Sequence, residues 1–170
     1  MSADAQQVPG GIKLAAFDVD GVFTDGRFYL SDDGVETKAF STQDGFGIKK
    51  LLAAGIEVAV ISSRSSGAVD RRMAELGVKH VIQGAGDKRA AFDALLSSLQ
   101  LSSRECVYVG DDIPDIPVLE QAGFPIAVAN AVAEVKELCR LTTRAPGGYG
   151  AVREVCELLL AARGASRPAS

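Results

Sequence analysis

The chain has 170 residues, 47% hydrophobic and 24% charged, the make-up of one globular domain large enough to build a core without disulfides. A net charge of −4 with no lysine or arginine block argues against nucleic acid as a partner, and no apolar run nears the roughly 20 residues of a membrane span. A single histidine, His80, rules out schemes that need two, and the three cysteines contain no C-x-x-C pair and read as reduced. With no signal-like start, the expected location is the cytoplasm.

Residues 1–10 read as a flexible tail, 11–163 as a single domain and 164–170 as a second flexible tail. Short apolar runs near 12–17, 56–61, 79–82, 105–109 and 125–128 do not alternate cleanly, as expected of strands buried on both faces. Helical patterns lie between them, with a polar start and mostly a glycine stop. Asp44 precedes Ile48, Leu51 and Leu52, with Gly55 beyond. Ser65 or Ser66 precedes 68–76, Asp87 precedes 90–99, and Pro114 precedes 116–122. The alternation predicts an α/β fold with a mainly parallel sheet. Segments 27–30 and 35–40 flank Ser31-Asp32-Asp33-Gly34, a β-hairpin after the first strand that should project over the crevice at the strand ends. Ala145-Pro146-Gly147-Gly148-Tyr149-Gly150 breaks the chain before a final amphipathic helix over 151–162.

The carboxyl ends of strands in an open parallel sheet line one crevice. The first run ends in Asp18-Val19-Asp20-Gly21 and the second in Ser62-Ser63-Arg64. Lys88 opens the helix after the third, and Gly110-Asp111-Asp112 closes the fourth. A carboxylate in line with phosphorus can attack it, and a second, two residues on, can protonate the leaving oxygen and then deprotonate water. Acidic groups facing a phosphate dianion need an intervening cation, and Asp111 and Asp112 are hard oxygen ligands suited to Mg²⁺. Ser62 and Lys88 supply a hydroxyl and a point charge to clamp the transferring group. Each piece alone also reads as a turn, a cap or a solvated residue. The combination in this order predicts a phosphate and metal site. Counting from Asp18, Val22 and Phe23 stand where an EF-hand needs an oxygen ligand and a glycine, and no P-loop occurs.

These motifs resemble the haloacid dehalogenase superfamily of phosphatases over nearly the whole chain. The resemblance implies a Rossmann-like three-layer sandwich, Asp18 as nucleophile, Asp20 as acid/base, Ser62 as phosphate-binding hydroxyl and Lys88 as clamp. It places Mg²⁺ on Asp18, Asp111 and the backbone carbonyl of Asp20, and assigns no role to Asp112. Within the superfamily, Phe17-Asp18-Val19-Asp20-Gly21-Val22, Asp44-Gly45-Phe46-Gly47-Ile48, Tyr108-Val109-Gly110-Asp111-Asp112 and Gly150-Ala151-Val152-Arg153-Glu154-Val155 are similar to the 3-deoxy-D-manno-octulosonate 8-phosphate phosphatases of lipopolysaccharide sugar synthesis. That family implies a capless homotetramer in which the hairpin helps build the assembly and a neighbour's C-terminal segment closes each site. It also implies a sugar-acid phosphate substrate, bound by Ser41, Thr42, Gln43, Asp44, Gly45, Lys49, Arg64 and Arg72 together with Asp20 and Lys88.

Spacing supports the missing cap, because the gaps from Asp20 to Ser62 and from Ser62 to Lys88 have no room for a lid domain. Two departures stand out. Ser62-Ser63-Arg64 replaces the usual Thr-Gly-Arg, which keeps the hydroxyl, and Gly147-Gly148-Tyr149-Gly150 replaces Gly-Gly-Arg-Gly, which loses a guanidinium from the expected gating segment. The alternatives are a phosphatase for a nonulosonate 9-phosphate, a capless phosphatase for a macromolecular substrate, and an assembly module without activity.

Overall fold

The structure is a computed structural model and describes residues 8–165. The ends of both expected tails, 1–7 and 166–170, lie outside the described residues. Among the described residues, a sheet of six strands carries the core in the order β5-β4-β1-β6-β7-β8, every pairing parallel. The strands are β1 (Leu14–Phe17), β4 (Glu57–Ile61), β5 (His80–Ile82), β6 (Cys106–Gly110), β7 (Phe124–Ala127) and β8 (Leu141–Thr142). The hairpin supplies β2 (Tyr29–Leu30) and β3 (Glu36–Thr37), which pair only with each other.

β1 reads Leu-Ala-Ala-Phe and is buried at every position, as is β6. Small residues in the centre of a sheet let helices close on both faces. Helix α1 (Thr42–Ala53) packs along α6 (Ala151–Ala165) and touches α2 (Gly67–Leu76). Elsewhere α4 (Ile116–Leu119) touches both α3 (Lys88–Leu99) and α5 (Ala133–Leu138). From β1 the chain adds β4 and β5 on one side, then returns through α3 to place β6 on the other. The strand order therefore reverses at β1, and its carboxyl end, carrying Asp18, faces the crevice where ligands of such sheets bind.

Several local expectations are revised. The side chain that caps α1 is Ser41, which accepts from the Asp44 amide at 3.4 Å, so Asp44 lies inside the first turn. Of the two serines expected before α2, Ser66 is the one that precedes it. A tight turn over Ile113–Asp115 shortens α4, and the final helix runs on to Ala165. The hairpin strands are two residues each, and Phe28, Tyr29, Leu30 and Val35 on it are exposed. Val8, inside the expected tail, is packed in the core. No helix among the described residues is long and apolar enough to cross a membrane.

Candidate active site

Asp18 leaves β1 with its amide bonded to the Val109 carbonyl at 2.9 Å, which ties it to the neighbouring end of β6. The backbone then turns sharply at Gly21, whose φ is +91°. A Cβ there would stand 1.9 Å from Asp111 Oδ2, so only glycine lets the two acidic loops approach this closely. A cavity of about 260 Å³ opens at this point, lined by Asp18, Asp20, Ser62, Arg64, Lys88, Asp111 and Asp112. The structure thus gathers the residues of all four strand-end motifs around one space.

Lys88, at the first turn of α3, is buried and donates to Asp18 Oδ1 at 2.7 Å. It also donates at 2.8 Å to Asp115 Oδ1, a residue outside the four strand-end motifs. Asp115 is fully enclosed. Its Oδ1 accepts from the Tyr108 hydroxyl at 2.8 Å, and its Oδ2 from the amides of Asp111 at 3.0 Å and Asp112 at 3.4 Å. It braces both the lysine and the loop that carries Asp111 and Asp112. Its one sequence signal was a carboxylate four residues after Asp111, inside a turn bounded by Pro114 and Pro117. Asp112 itself caps that turn, accepting from the Ile113 amide at 2.8 Å.

Carboxylate oxygens of Asp18, Asp111 and Asp115 lie within 4.8 Å of one another. Burial, then the charge of Asp115, raises Asp18 to about 6 against the pull of Lys88. Burial, then the charges of Asp18 and Asp115, raises Asp111 to about 8. Burial opposes the Lys88 charge, yet the two carboxylates hold its ammonium above the ordinary lysine value. Asp111 Oδ1 is buried without a hydrogen-bond partner. Surplus negative charge and an unpaired hard oxygen are what a divalent cation would satisfy, so the donor set fits Mg²⁺. Ser62 Oγ is buried at the cavity and accepts from the Arg64 amide at 3.3 Å.

The other expected substrate-binding residues lie elsewhere in the chain. Thr42, Gly45, Lys49 and Arg72 line a different cavity, of about 230 Å³, between α1 and α2. Arg72 Nη2 reaches the Ser41 carbonyl at 3.4 Å, and Nη1 pairs with Glu75 at 2.9 Å. Gln43 is exposed. Asp44 is buried and accepts from the Arg153 amide at 2.8 Å, fixing the start of α6. Within one chain, then, this group and the acidic crevice do not meet.

Gly147-Gly148-Tyr149-Gly150, expected to gate a neighbour's site, is anchored on its own chain. Gly148 donates to the Val22 carbonyl at 3.1 Å, and Gly147 to Asn130 Oδ1 at 2.6 Å. Asn130 Nδ2 donates in turn to the Gly21 carbonyl at 3.1 Å, so this unforeseen asparagine links the segment to the turn after Asp18. Tyr149 points outward and is exposed. His80 pairs with Glu57 at 3.2 Å on the sheet, away from the acidic cluster. Burial raises the Cys106 and Cys139 thiols to about 12, which disfavours the thiolate form.

Comparison with known proteins agrees with this geometry. The sequence profile of the haloacid dehalogenase-like hydrolases matches residues 80–152. The 3-deoxy-D-manno-octulosonate 8-phosphate phosphatase of Escherichia coli K12 is 44% identical over 96% of this chain and 87% of its own length. The crystal structure of the Yersinia pestis enzyme of that name superposes with a TM-score of 0.93 at 41% identity, covering 96% of this chain and 89% of that one. The Moraxella catarrhalis enzyme, crystallised with a magnesium ion, a phosphate ion and KDO, superposes with a TM-score of 0.91 at 44% identity, covering 96% and 94%. A parallel sheet with its strand-order reversal at Asp18, an acidic crevice braced by lysine, and this similarity along almost the full length lead to one conclusion: the chain belongs to the haloacid dehalogenase-like hydrolases, in the family of the 3-deoxy-D-manno-octulosonate 8-phosphate phosphatases.

Proposed function

We propose that this protein is a Mg²⁺-dependent phosphatase that hydrolyses 3-deoxy-D-manno-octulosonate 8-phosphate to the free sugar acid and phosphate through an aspartyl-phosphate on Asp18. The observation that carries the reading is the meeting of Asp18, Asp111 and Lys88 in one cavity, in a chain 44% identical to enzymes of that name. Magnesium, when bound at Asp18, Asp111 and the Asp20 carbonyl, would neutralise phosphate oxygens and let the carboxylates ionise.

The chain's own groups divide the rest of the work. Lys88 holds Asp18 Oδ1, which leaves Oδ2 to form the bond to phosphorus as the ester bond breaks. Asp20, partly exposed at the cavity wall, gives its proton to the departing sugar oxygen. It then takes one from the water that attacks the aspartyl-phosphate. The Ser62 hydroxyl and the Lys88 ammonium bind oxygens of the moving phosphoryl group. Arg64 at the rim, ion-paired with Glu36 through Nη2, adds a positive charge that attracts the sugar carboxylate.

Lys49, Arg72 and the 41–45 segment can reach that substrate only if another copy presents them. Assembly as a homotetramer, with the exposed Phe28, Tyr29, Leu30 and Val35 of the hairpin inside it, therefore belongs to the proposal. A lidless crevice gains cover from such a neighbour, and the unpaired thiols suit a cytoplasmic setting.

A substrate panel tests the reading. Octulosonate 8-phosphate, nonulosonate 9-phosphates and a phosphopeptide are compared by kcat/KM with Mg²⁺ and with chelator. Highest efficiency on the octulosonate ester, lost on chelation and restored by Mg²⁺, is expected. Preference for a phosphopeptide, or a monomer by light scattering at working concentration, would overturn the substrate and the assembly respectively.

A further inference from the structure

Lys38, the residue after β3, has a side chain only 1% exposed, and its ammonium is bound by Asp20 Oδ1. A buried ammonium persists only where its charge is matched. A second carboxylate, Glu36 Oε1, stands 3.5 Å from it. The other oxygen of Glu36 holds Arg64 Nη2 at 2.7 Å, and Arg64 Nε lies 3.9 Å from the remaining oxygen of Asp20, beyond hydrogen-bond distance, so that this oxygen keeps room for a proton partner. Four side chains therefore close a ring of alternating charge. The Phe28 ring lies against both its cations, 5.8 Å from Lys38 Nζ and 4.3 Å from the Arg64 guanidinium. Phe28, Glu36 and Lys38 all come from the hairpin, which thereby reaches the reaction centre of its own chain.

A carboxyl side chain on a turn has two torsions to fix before it can exchange a proton in line. A donor held on one oxygen fixes both and leaves the other oxygen to do the transfer. Resting on the reading of Asp20 as acid and base, we infer that Lys38 is a positioning residue for proton transfer. It grips Asp20 by Oδ1, so that Oδ2 meets the departing ester oxygen and later the attacking water. The Glu36 carboxylate, 3.5 Å away, offsets the Lys38 charge, and the hairpin is thus part of the catalytic apparatus as well as a candidate contact surface.

The test is Lys38→Met measured by kcat/KM, which reports the steps up to departure of the alcohol. Two esters are compared: octulosonate 8-phosphate, whose alkoxide needs a proton to leave, and p-nitrophenyl phosphate, whose phenolate leaves without one. The expected result is a fall of about 100-fold on the sugar ester and a loss at least about tenfold smaller on the aryl ester. Lys38→Arg, which keeps both donor and charge, should recover part of that gap. Lys38→Ala, which also lacks the donor, gives the same ratio should methionine at this site prevent folding. Equal losses on both esters, or no loss on the sugar ester, would overturn the inference. Wild-type turnover of the octulosonate ester tests the functional reading separately. If wild type prefers another primary sugar phosphate, the ratio is taken on that ester.

Discussion

Lys88 donates to Asp18 at 2.7 Å across 70 residues of chain, so the first turn of α3 delivers a buried cation to the end of the central strand. The same ammonium bonds Asp115, and it is the group that offsets a cluster of three carboxylates before any metal arrives. Lys88→Met removes that charge and the clamp on the phosphoryl group together. Activity should fall by about 100-fold or more, with Mg²⁺ present at saturation. Lys88→Arg should recover little of it, because a planar fork cannot take the place of a compact point charge between two oxygens. Steady-state phosphate release from the two variants checks both statements.

Asp18, raised to about 6, and Asp111, raised to about 8, keep protons in the folded, metal-free protein that they lose in the unfolded chain. The native state then binds more protons than the unfolded one from about pH 4 up to about 8, so stability must fall as pH rises through that window. Mg²⁺ needs both groups ionised, so its stabilising effect must grow over the same range. Thermal unfolding of chelator-treated protein should show Tm falling with pH, and the gap between samples with and without Mg²⁺ should widen. A metal-free Tm that rises over this range would contradict the electrostatics described for the site.

Gly147 packs so closely on the turn after Asp18 that an added Cβ would stand 1.8 Å from the Gly21 carbonyl oxygen. Backbone cannot yield as a flexible side chain can, so Gly147→Ala should push the 145–150 segment off that turn. The expected cost is roughly 2–3 kcal/mol, read as a fall in Tm of about 5–10 °C. Activity should drop with it, since the same turn sets the Asp20 carbonyl. The measurement is a melting curve beside kcat at a temperature where both forms are folded.

Much of the crevice was legible because most of its groups sit at the end of an apolar run and Lys88 opens the helix after one. Asp18, Ser62 and Asp111 follow buried strands directly, and a parallel sheet brings such ends together whatever their separation in sequence. The resemblance then supplied their roles. Asp115 escaped notice because its importance lies in four donors folded around it, two of them backbone amides, and no spacing rule announces that. Lys38 and Glu36 read as ordinary hairpin residues because their burial comes from one another and from Phe28. Strand β8 and helix α5 are too short to leave a periodic pattern. The roles of residues 41–45, Lys49 and Arg72 followed from the family, and a single chain places Thr42, Gly45, Lys49 and Arg72 in a cavity of their own between α1 and α2.

The most direct test of the account is Asp18→Asn assayed for Mg²⁺-dependent phosphate release from octulosonate 8-phosphate. Asparagine keeps the shape of the side chain and offers no oxygen able to form a stable phosphoryl intermediate, so turnover should fall by at least about 1,000-fold while the variant still melts cooperatively. Turnover within a few-fold of wild type would show that the bond to phosphorus is made by another group.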